Sequence, residues 1–199
     1  MEESNLPFSQ HFLQLDKKPK WGIKLFLSIT TMILSTILGS LAIDYTGLYR
    51  ESGLTGEQLE QAKAIGRVGR IIGSSFMVIV EIGITFFLFL LICKIMKKGK
   101  SKKVVFSATL SYVLITSFIG LIVILIQWLA GLSPLEYSIT SLNIFDKGNK
   151  MLGALNAQTF IGGYIFGIML YKTFDFSKKA TIIWTISYLV LLISFSAVS

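Results

Sequence analysis

The sequence has one cysteine and one histidine in 199 residues, and charged side chains make up only 15% of it. The single cysteine, Cys93, excludes a disulfide framework within one chain. The single histidine, His11, lies near the N-terminus, so no histidine-based zinc site is expected in the apolar segments. A G-x-S-x-G nucleophile motif and a glycine-rich phosphate loop are absent as well. We therefore expect no catalytic residue, no metal and no cofactor.

Apolar residues are abundant and are grouped into long blocks. The chain is 53% hydrophobic and has a mean hydropathy of +0.69. Blocks of about 20 apolar residues have the length needed to cross ~30 Å of hydrocarbon, which argues against a soluble domain. The formal net charge of +8 resides in short segments beside these blocks. This placement is typical of a membrane protein and does not indicate nucleic-acid binding.

Five blocks predict an all-α integral membrane protein with five transmembrane helices. Residues 1–20 are expected to form a cytoplasmic tail with a short helix on the membrane surface, and residues 21–199 to form one membrane domain. Residues 56–68 are polar but compatible with a surface helix that leads into the second span. The predicted spans are 22–43, 70–94, 104–130, 152–171 and 180–198.

The basic residues are distributed unevenly between the two sides of these spans. All but six of the 19 lysines and arginines fall on the side that carries the N-terminus. Cytoplasmic loops of membrane proteins carry an excess of these residues. The distribution predicts a cytoplasmic N-terminus and, with five spans, a C-terminus outside. The six exceptions are Arg50, Lys63, Arg67, Arg70, Lys147 and Lys150.

Glu81 is the only charged residue in the apolar part of the second span, residues 71–92. A carboxylate at that depth is costly, so it is expected to be protonated, paired or facing water inside the bundle. At helical spacing it shares one face with four other polar residues, which predicts a polar stripe turned toward the bundle interior. These residues are Arg67, Arg70, Ser74 and Thr85.

Three interpretations of Glu81 are open. The favoured one is an interhelical hydrogen bond between a neutral Glu81 and a polar side chain on another span. The second is a proton-linked or ligand-linked site, and the third is pairing with a basic residue of a partner subunit. The candidate partners within this chain are Thr116, Ser117, Asn156 and Gln158.

The second span is followed by a lysine loop that contains no acidic residue. We interpret this loop as a topology determinant that is attracted to anionic lipid, at ~1 kcal/mol for each lysine near the surface. Docking of a cytoplasmic partner such as an ATPase subunit is the alternative. The lysines are Lys94, Lys97, Lys98, Lys100, Lys102 and Lys103.

Small residues recur at four-residue intervals in the fourth span, at Thr159, Gly163 and Gly167. Such spacing lets helix backbones approach closely. Packing within the monomer is the favoured interpretation, and a face that meets a second copy of the chain is the alternative.

Three short patterns mark span boundaries between residue 17 and the C-terminus: Lys17-Lys18-Pro19-Lys20-Trp21, Lys97-Lys98-Gly99-Lys100-Ser101 and Phe176-Ser177-Lys178-Lys179-Ala180. Together with the hydropathy, these patterns resemble the Yip family, the Ypt/Rab-interacting membrane proteins, in its small bacterial branch. The resemblance implies a five-span, non-enzymatic integral membrane protein. Some bacterial relatives are encoded with ABC-type export or toxin-immunity systems, which implies an accessory role.

Two departures limit what the resemblance implies. Eukaryotic members carry a tyrosine-glycine-proline signature before the first span, and residues 1–20 contain no such sequence. Binding of Rab-type GTPases is therefore not implied. The acidic-aromatic pattern at the start of the bacterial fourth span is replaced by Ala154-Leu155-Asn156-Ala157.

The sequence thus predicts a non-enzymatic accessory or scaffold protein of the bacterial plasma membrane. It would be a partner of an ABC-type exporter or a factor that protects against membrane-active peptides. The alternative is a small proton-linked or ligand-linked transporter that uses Glu81. The expected partners are membrane lipid and other membrane-protein subunits or a second copy of the chain, with no nucleic acid.

Overall fold

The computed structural model describes residues 6–43, 45–134 and 138–198. Within these ranges the chain is helical, and extended pairing is limited to one isolated bridge between Ser141 and Asn156. A 3-10 helix at Leu142–Ile144 lies between α5 and α6. The α-helices in chain order are α1 (Ser9–Lys17), α2 (Gly22–Ala42), α3 (Thr46–Glu51), α4 (Gly56–Ile95), α5 (Lys102–Leu129), α6 (Lys150–Ala154), α7 (Ala157–Lys172) and α8 (Lys178–Val198).

Four of the described helices are long and apolar enough to cross a membrane: α2, α4, α5 and α8. The prediction of an all-helical membrane fold is therefore confirmed. The helices α2, α5 and α8 agree with the predicted spans 22–43, 104–130 and 180–198 to within two residues at each end. The second span differs, because the expected surface helix at 56–68 and the span itself form one continuous helix, α4.

The predicted fourth span, 152–171, is interrupted between α6 and α7. The Asn156 side chain accepts a hydrogen bond of 2.9 Å from the Gln158 N–H, and this bond caps the start of α7. Free backbone groups at the break bond to the preceding loop, where the Ala157 N–H donates to the Thr140 carbonyl. The 16 residues of α7 extend about 24 Å, just below the usual 17–25 residues of a transmembrane helix.

The helix α4 has 40 residues and extends about 60 Å, roughly twice the thickness of the hydrocarbon core. Its polar first turns therefore continue beyond its apolar part, and α3 packs against them. The Arg70 guanidinium lies over the Tyr45 ring at 3.7 Å from the ring centre. Tyr49 lies so close to Gly66 that a Cβ atom there would overlap the tyrosine hydroxyl. The close approach of Tyr49 thus explains why residue 66 is a glycine.

One end of the bundle, here called the basic end, carries the lysine loop. The start of α2 lies there as well, because the Ser107 hydroxyl near the start of α5 donates to the Lys20 carbonyl. The helix α7 runs antiparallel to α5 and to α8, so its C-terminus returns to the basic end. An ion pair between Lys100 and Asp175 of the α7–α8 connection marks that return.

The main core lies toward the basic end, between α4, α5 and α7. Phe89, Val105 and Phe166 are at most 1% exposed there. The α1 helix joins this core, because Phe12 is fully buried and Leu15 lies on the same face of the helix. The Thr173 hydroxyl donates to the Phe12 carbonyl at 2.8 Å. The structure thus differs from the predicted tail, whose helix was expected on the membrane surface and not in the bundle.

Candidate functional site

A groove of about 420 Å³ lies between α2, α4 and α5, and Glu81 forms part of its wall. The remainder of the lining combines apolar side chains with small or hydroxyl-bearing ones. The small and hydroxyl-bearing residues are Ser35 and Thr36 from α2, Ser74 from α4, and Ser117 and Gly120 from α5.

An apolar cluster holds the three helices together beside this groove. It contains Met32 from α2, Val78 and Ile82 from α4, and Leu110 and Val113 from α5. Val78 lies three residues before Glu81, and Ile82 directly follows it. Because these two side chains face the cluster, α4 is held in one rotation about its axis, and Glu81 is left exposed at the groove.

Within the described part of the chain, no group forms a hydrogen bond or ion pair with Glu81. Two hydroxyls of the groove are directed along their own helices instead. Ser35 donates to the Thr31 carbonyl at 3.0 Å, and Ser117 donates to the Val113 carbonyl at 2.6 Å. The Glu81 carboxylate is therefore presented to the groove without a donor from the described residues.

The other members of the predicted polar stripe do not converge with Glu81, apart from Ser74. Arg67 is exposed, and Arg70 stacks on Tyr45 about 16 Å along the helix from Glu81. Thr85 is partly buried and lies outside the groove lining. The stripe is thus divided between the contact with α3 and the groove.

Asn156 and Gln158 belong to a separate polar cluster around Thr140. The Thr140 hydroxyl donates to Asn156 Oδ1 at 2.9 Å, and Gln158 Nε2 donates to the Thr140 hydroxyl at 3.0 Å. These bonds hold the loop before the 3-10 helix against the start of α7. Thr116, another candidate partner of Glu81, donates to the Tyr112 carbonyl of its own helix.

The glycines of α7 lie against α8 within the same chain. A Cβ atom at Gly163 would stand 2.6 Å from a methyl carbon of Leu189, and one at Gly167 would stand 2.8 Å from the Thr185 hydroxyl. Both distances are shorter than van der Waals contact. Thr159, one turn before Gly163, is partly buried.

Lys100 connects three segments at the basic end, and we call this arrangement the Lys100 clamp. Its ammonium group bonds to Asp16 of α1 at 2.8 Å and to Asp175 of the α7–α8 connection at 2.5 Å. Burial disfavours the charged lysine, but the bonds to the two carboxylates prevail and raise the pKa of Lys100. Lys98 adds a hydrogen bond to the Asp175 carbonyl. The remaining loop lysines, Lys94, Lys97, Lys102 and Lys103, are exposed.

A further polar cluster at the basic end was not predicted. His11 Nε2 lies 3.0 Å from the Ser111 hydroxyl, and Lys24 donates to the same hydroxyl at 2.7 Å and to Ser107 at 3.3 Å. Loss of solvent around the ring, and then the charge of Lys24, lower the pKa of His11 below its ordinary value of 6.5. The signal available in the sequence was Lys24 itself, a charged residue inside the predicted first span.

Groups that could hold a metal ion are absent from residues 6–43, 45–134 and 138–198, where no three histidine, cysteine or acidic side chains come together. In the described structure, polar side chains are concentrated in the groove, in the cluster around Thr140 and at the basic end.

Comparisons with known proteins assign the family. The family model described as the Yip1 domain matches residues 7–199. The chain is 28% identical over 199 residues to "Membrane protein YknW" of Bacillus subtilis (strain 168), with 96% of this chain and 85% of that relative covered. No solved structure matches the chain significantly. With a family match over nearly its whole length and four long apolar helices among the described residues, the chain belongs to the Yip1 domain family and is a multi-pass protein of the bacterial plasma membrane.

Proposed function

We propose that this protein is a non-enzymatic accessory protein that binds another integral membrane protein through the groove around Glu81. The observation that carries the proposal is the Glu81 carboxylate, which lies on a membrane-spanning helix without a bonding partner among the described residues. Charged side chains in such segments almost always pair or face water. A helix of a partner protein that brings a donor or a basic side chain would satisfy Glu81.

The lining of the groove also favours a helix as its occupant. Ser35, Ser74 and Gly120 come from three different helices, and their small side chains leave room for the backbone of a fourth. In membranes, small residues at a helix interface permit close backbone approach and dispersion contacts. The resemblance to bacterial relatives encoded with ABC-type export systems suggests a permease helix as the occupant.

The proposal includes five spans, a cytoplasmic N-terminus and an outside C-terminus. The antiparallel course of α7 beside α5 and α8 supports a fifth crossing, in which α6 and the polar break at Asn156 lie toward the far face. The lysines of the basic end support a cytoplasmic position for that end. A reporter enzyme fused after residue 199 is expected to be active only outside the cytoplasm. Activity inside the cytoplasm would contradict this topology.

The docking role can be tested by gentle detergent purification of the tagged protein from its native membrane, followed by mass spectrometry of co-purifying proteins. We expect a membrane-protein subunit to be recovered in stoichiometric amount with the wild type and with Glu81→Gln, because an amide keeps most hydrogen bonds. Glu81→Leu should reduce recovery about fivefold to 30-fold, the effect of losing one or two kcal/mol of interhelical hydrogen bonding.

Ile79→Ala is the matched control, because Ile79 is an exposed neighbour on α4 outside the groove lining. It should leave recovery unchanged. If Glu81→Leu retains the partner as well as Ile79→Ala does, the groove is not the docking site. If the wild type is recovered alone, the accessory role itself is contradicted.

The second candidate function is proton-linked or ligand-linked transport, which is favoured by a polar cavity around a carboxylate. Purified protein in liposomes would then carry protons or solute alone, and Glu81→Gln would abolish that flux while the protein stays folded. The two functions therefore differ in the effect of Glu81→Gln. Docking tolerates this substitution, whereas transport through a titrating carboxylate does not.

A further inference from the structure

A second cavity, of about 540 Å³, lies at the basic end between α1 and the start of α2. It is separate from the groove around Glu81, and none of its lining residues belongs to the Lys100 clamp. Polar and basic side chains form most of its lining: His11, Gln14, Lys17, Lys18, Lys20 and Lys24.

The charge in this cavity is not balanced by the described residues. Four lysines line it, and no acidic side chain among the described residues does. Asp16 is next to Leu15 and Lys17 on α1, yet it points to the other side and bonds to Lys100. Among the described residues, Asp16 and Asp175 therefore both bond to Lys100, and none of the four lysines of the cavity has a carboxylate partner.

Lys24 is the most constrained of these lysines. It is partly buried near the start of α2, and its ammonium group donates to the two buried hydroxyls of Ser107 and Ser111. Neutral hydroxyls satisfy hydrogen bonds but do not compensate a charge. Removing an ammonium from bulk water without a counter-charge is costly, so the site is arranged to gain from an anion.

Two further observations suit an anion carried at the membrane surface. Trp21 lies between Lys20 and Lys24, is exposed, and has its ring centre 5.9 Å from that of Phe106. Tryptophan is enriched at the level of lipid headgroups, which sets the depth of the cavity. His11 and Lys24 meet at the Ser111 hydroxyl, and burial, followed by the charge of Lys24, lowers the pKa of His11, so the positive field of Lys24 reaches this ring.

We propose that this cavity binds a phosphate-bearing anion, held by Lys17, Lys18, Lys20 and Lys24 between the tail helix and the first span. Phosphate is the anion that lysine clusters take up as point charges. The group can come from an anionic lipid headgroup in the surrounding leaflet or from free phosphate in solution. Because α1 forms one wall, an occupied cavity would also stabilise the docking of the tail helix.

The two sources can be separated with the detergent-purified full chain. Native mass spectrometry would compare retention of dioleoylphosphatidylglycerol with that of dioleoylphosphatidylcholine, which has no net charge. Thermal unfolding would compare inorganic phosphate with chloride at equal ionic strength, which removes general screening. Preferential retention of the phosphatidylglycerol would identify a lipid headgroup as the source. A rise in Tm of about 2–4 °C with phosphate would identify free phosphate, and we expect at least one of these results.

The double variant Lys18→Gln/Lys20→Gln tests the site, and Lys102→Gln/Lys103→Gln is its control, because it removes the same charge from exposed lysines outside the cavity. The first should weaken binding about tenfold or more, and the control at most about twofold. All four lysines are exposed, so neither variant endangers folding. Equal weakening by both doubles would mean that net charge alone attracts the anion. That result, or no preference in either binding assay, would overturn the proposal.

Discussion

Lys100 and Glu81 both carry ionisable side chains, and both belong to the second half of α4 and the loop that follows it, yet their surroundings differ. Lys100 has two carboxylate partners, Asp16 and Asp175, which come from segments far from it in the sequence. Glu81 has no partner among the described residues and is exposed at a groove between three helices. The Lys100 ammonium group thus bonds within the fold, whereas the Glu81 carboxyl group faces the groove.

This difference teaches how to separate structural charges from functional ones in a small membrane protein. A charge whose partners are all within the chain contributes to holding segments together, and its removal should cost stability. A charge at membrane depth without an internal partner gains nothing from the isolated fold, so its removal should affect binding and not stability.

Phe12→Ala should have the largest effect on stability, because Phe12 anchors α1 beside the Lys100 clamp and is fully buried. Truncation of a buried phenylalanine costs about 3–5 kcal/mol. We expect α1 to detach from the bundle, which hydrogen exchange would detect as faster exchange of the α1 amides. Phe8→Ala, the same truncation at an exposed position, is the control. Equal exchange in both variants would show that α1 is not held by Phe12.

Lys100→Met should destabilise the basic end by about 1–2 kcal/mol, because it removes two charge-assisted hydrogen bonds at once. Thermal unfolding in detergent and proteolysis of the α7–α8 connection would measure the loss. Lys103→Met removes the same charge from an exposed lysine and should be nearly neutral. A double-mutant cycle with Asp16→Asn should show coupling, and additivity of the two changes would disprove the clamp.

Glu81→Leu should not destabilise the isolated protein, unlike Lys100→Met. Since no described group bonds to the carboxylate, we expect stability to stay the same or to rise by about 1 kcal/mol, in contrast to Lys100→Met. Thermal unfolding of the purified variant, without any partner, is the measurement. A clear loss of stability would mean that Glu81 is paired within the fold, and the contrast between the two charges would then fail.

Acidification should weaken the docking of α1 modestly. The pKa of His11 is lowered in the fold, so the unfolded chain binds more protons below pH 6.5 and folding stability falls as the pH decreases through that value. Proteolysis of the tail between pH 7.5 and pH 5.5 would follow the effect. His11→Gln should make the tail insensitive to pH in this window, and an unchanged pH response would exclude His11 as its source.

Much of the membrane fold could be predicted because apolar length and charge placement act locally along the chain. Three predicted spans agree with α2, α5 and α8 to within two residues. The predicted fourth span is interrupted near its start, because Asn156 caps α7 and the backbone at the break pairs with the loop near Thr140. Average hydropathy does not reveal such a cap inside an apolar block.

The candidate site could be predicted less completely. Glu81 is a candidate from the sequence because an ionisable residue in an apolar helix is conspicuous, and the structure places Ser74 in the same groove. Arg70, Asn156 and Gln158 do not line this groove. Arg70 stacks on Tyr45, and Asn156 and Gln158 bond to Thr140. Helical spacing shows which residues share a face, but it does not show which neighbour that face meets.

The membrane class, the apolar spans of α2, α5 and α8 and the family follow from the sequence alone, because these depend on runs of adjacent residues. The tertiary structure decided which charges are paired. Lys100 meets Asp16 and Asp175 across separations of 84 and 75 residues, and the Phe12 carbonyl accepts a hydrogen bond from Thr173, 161 residues further along the chain. Such contacts depend on the packing of helices against one another, and no local pattern encodes them.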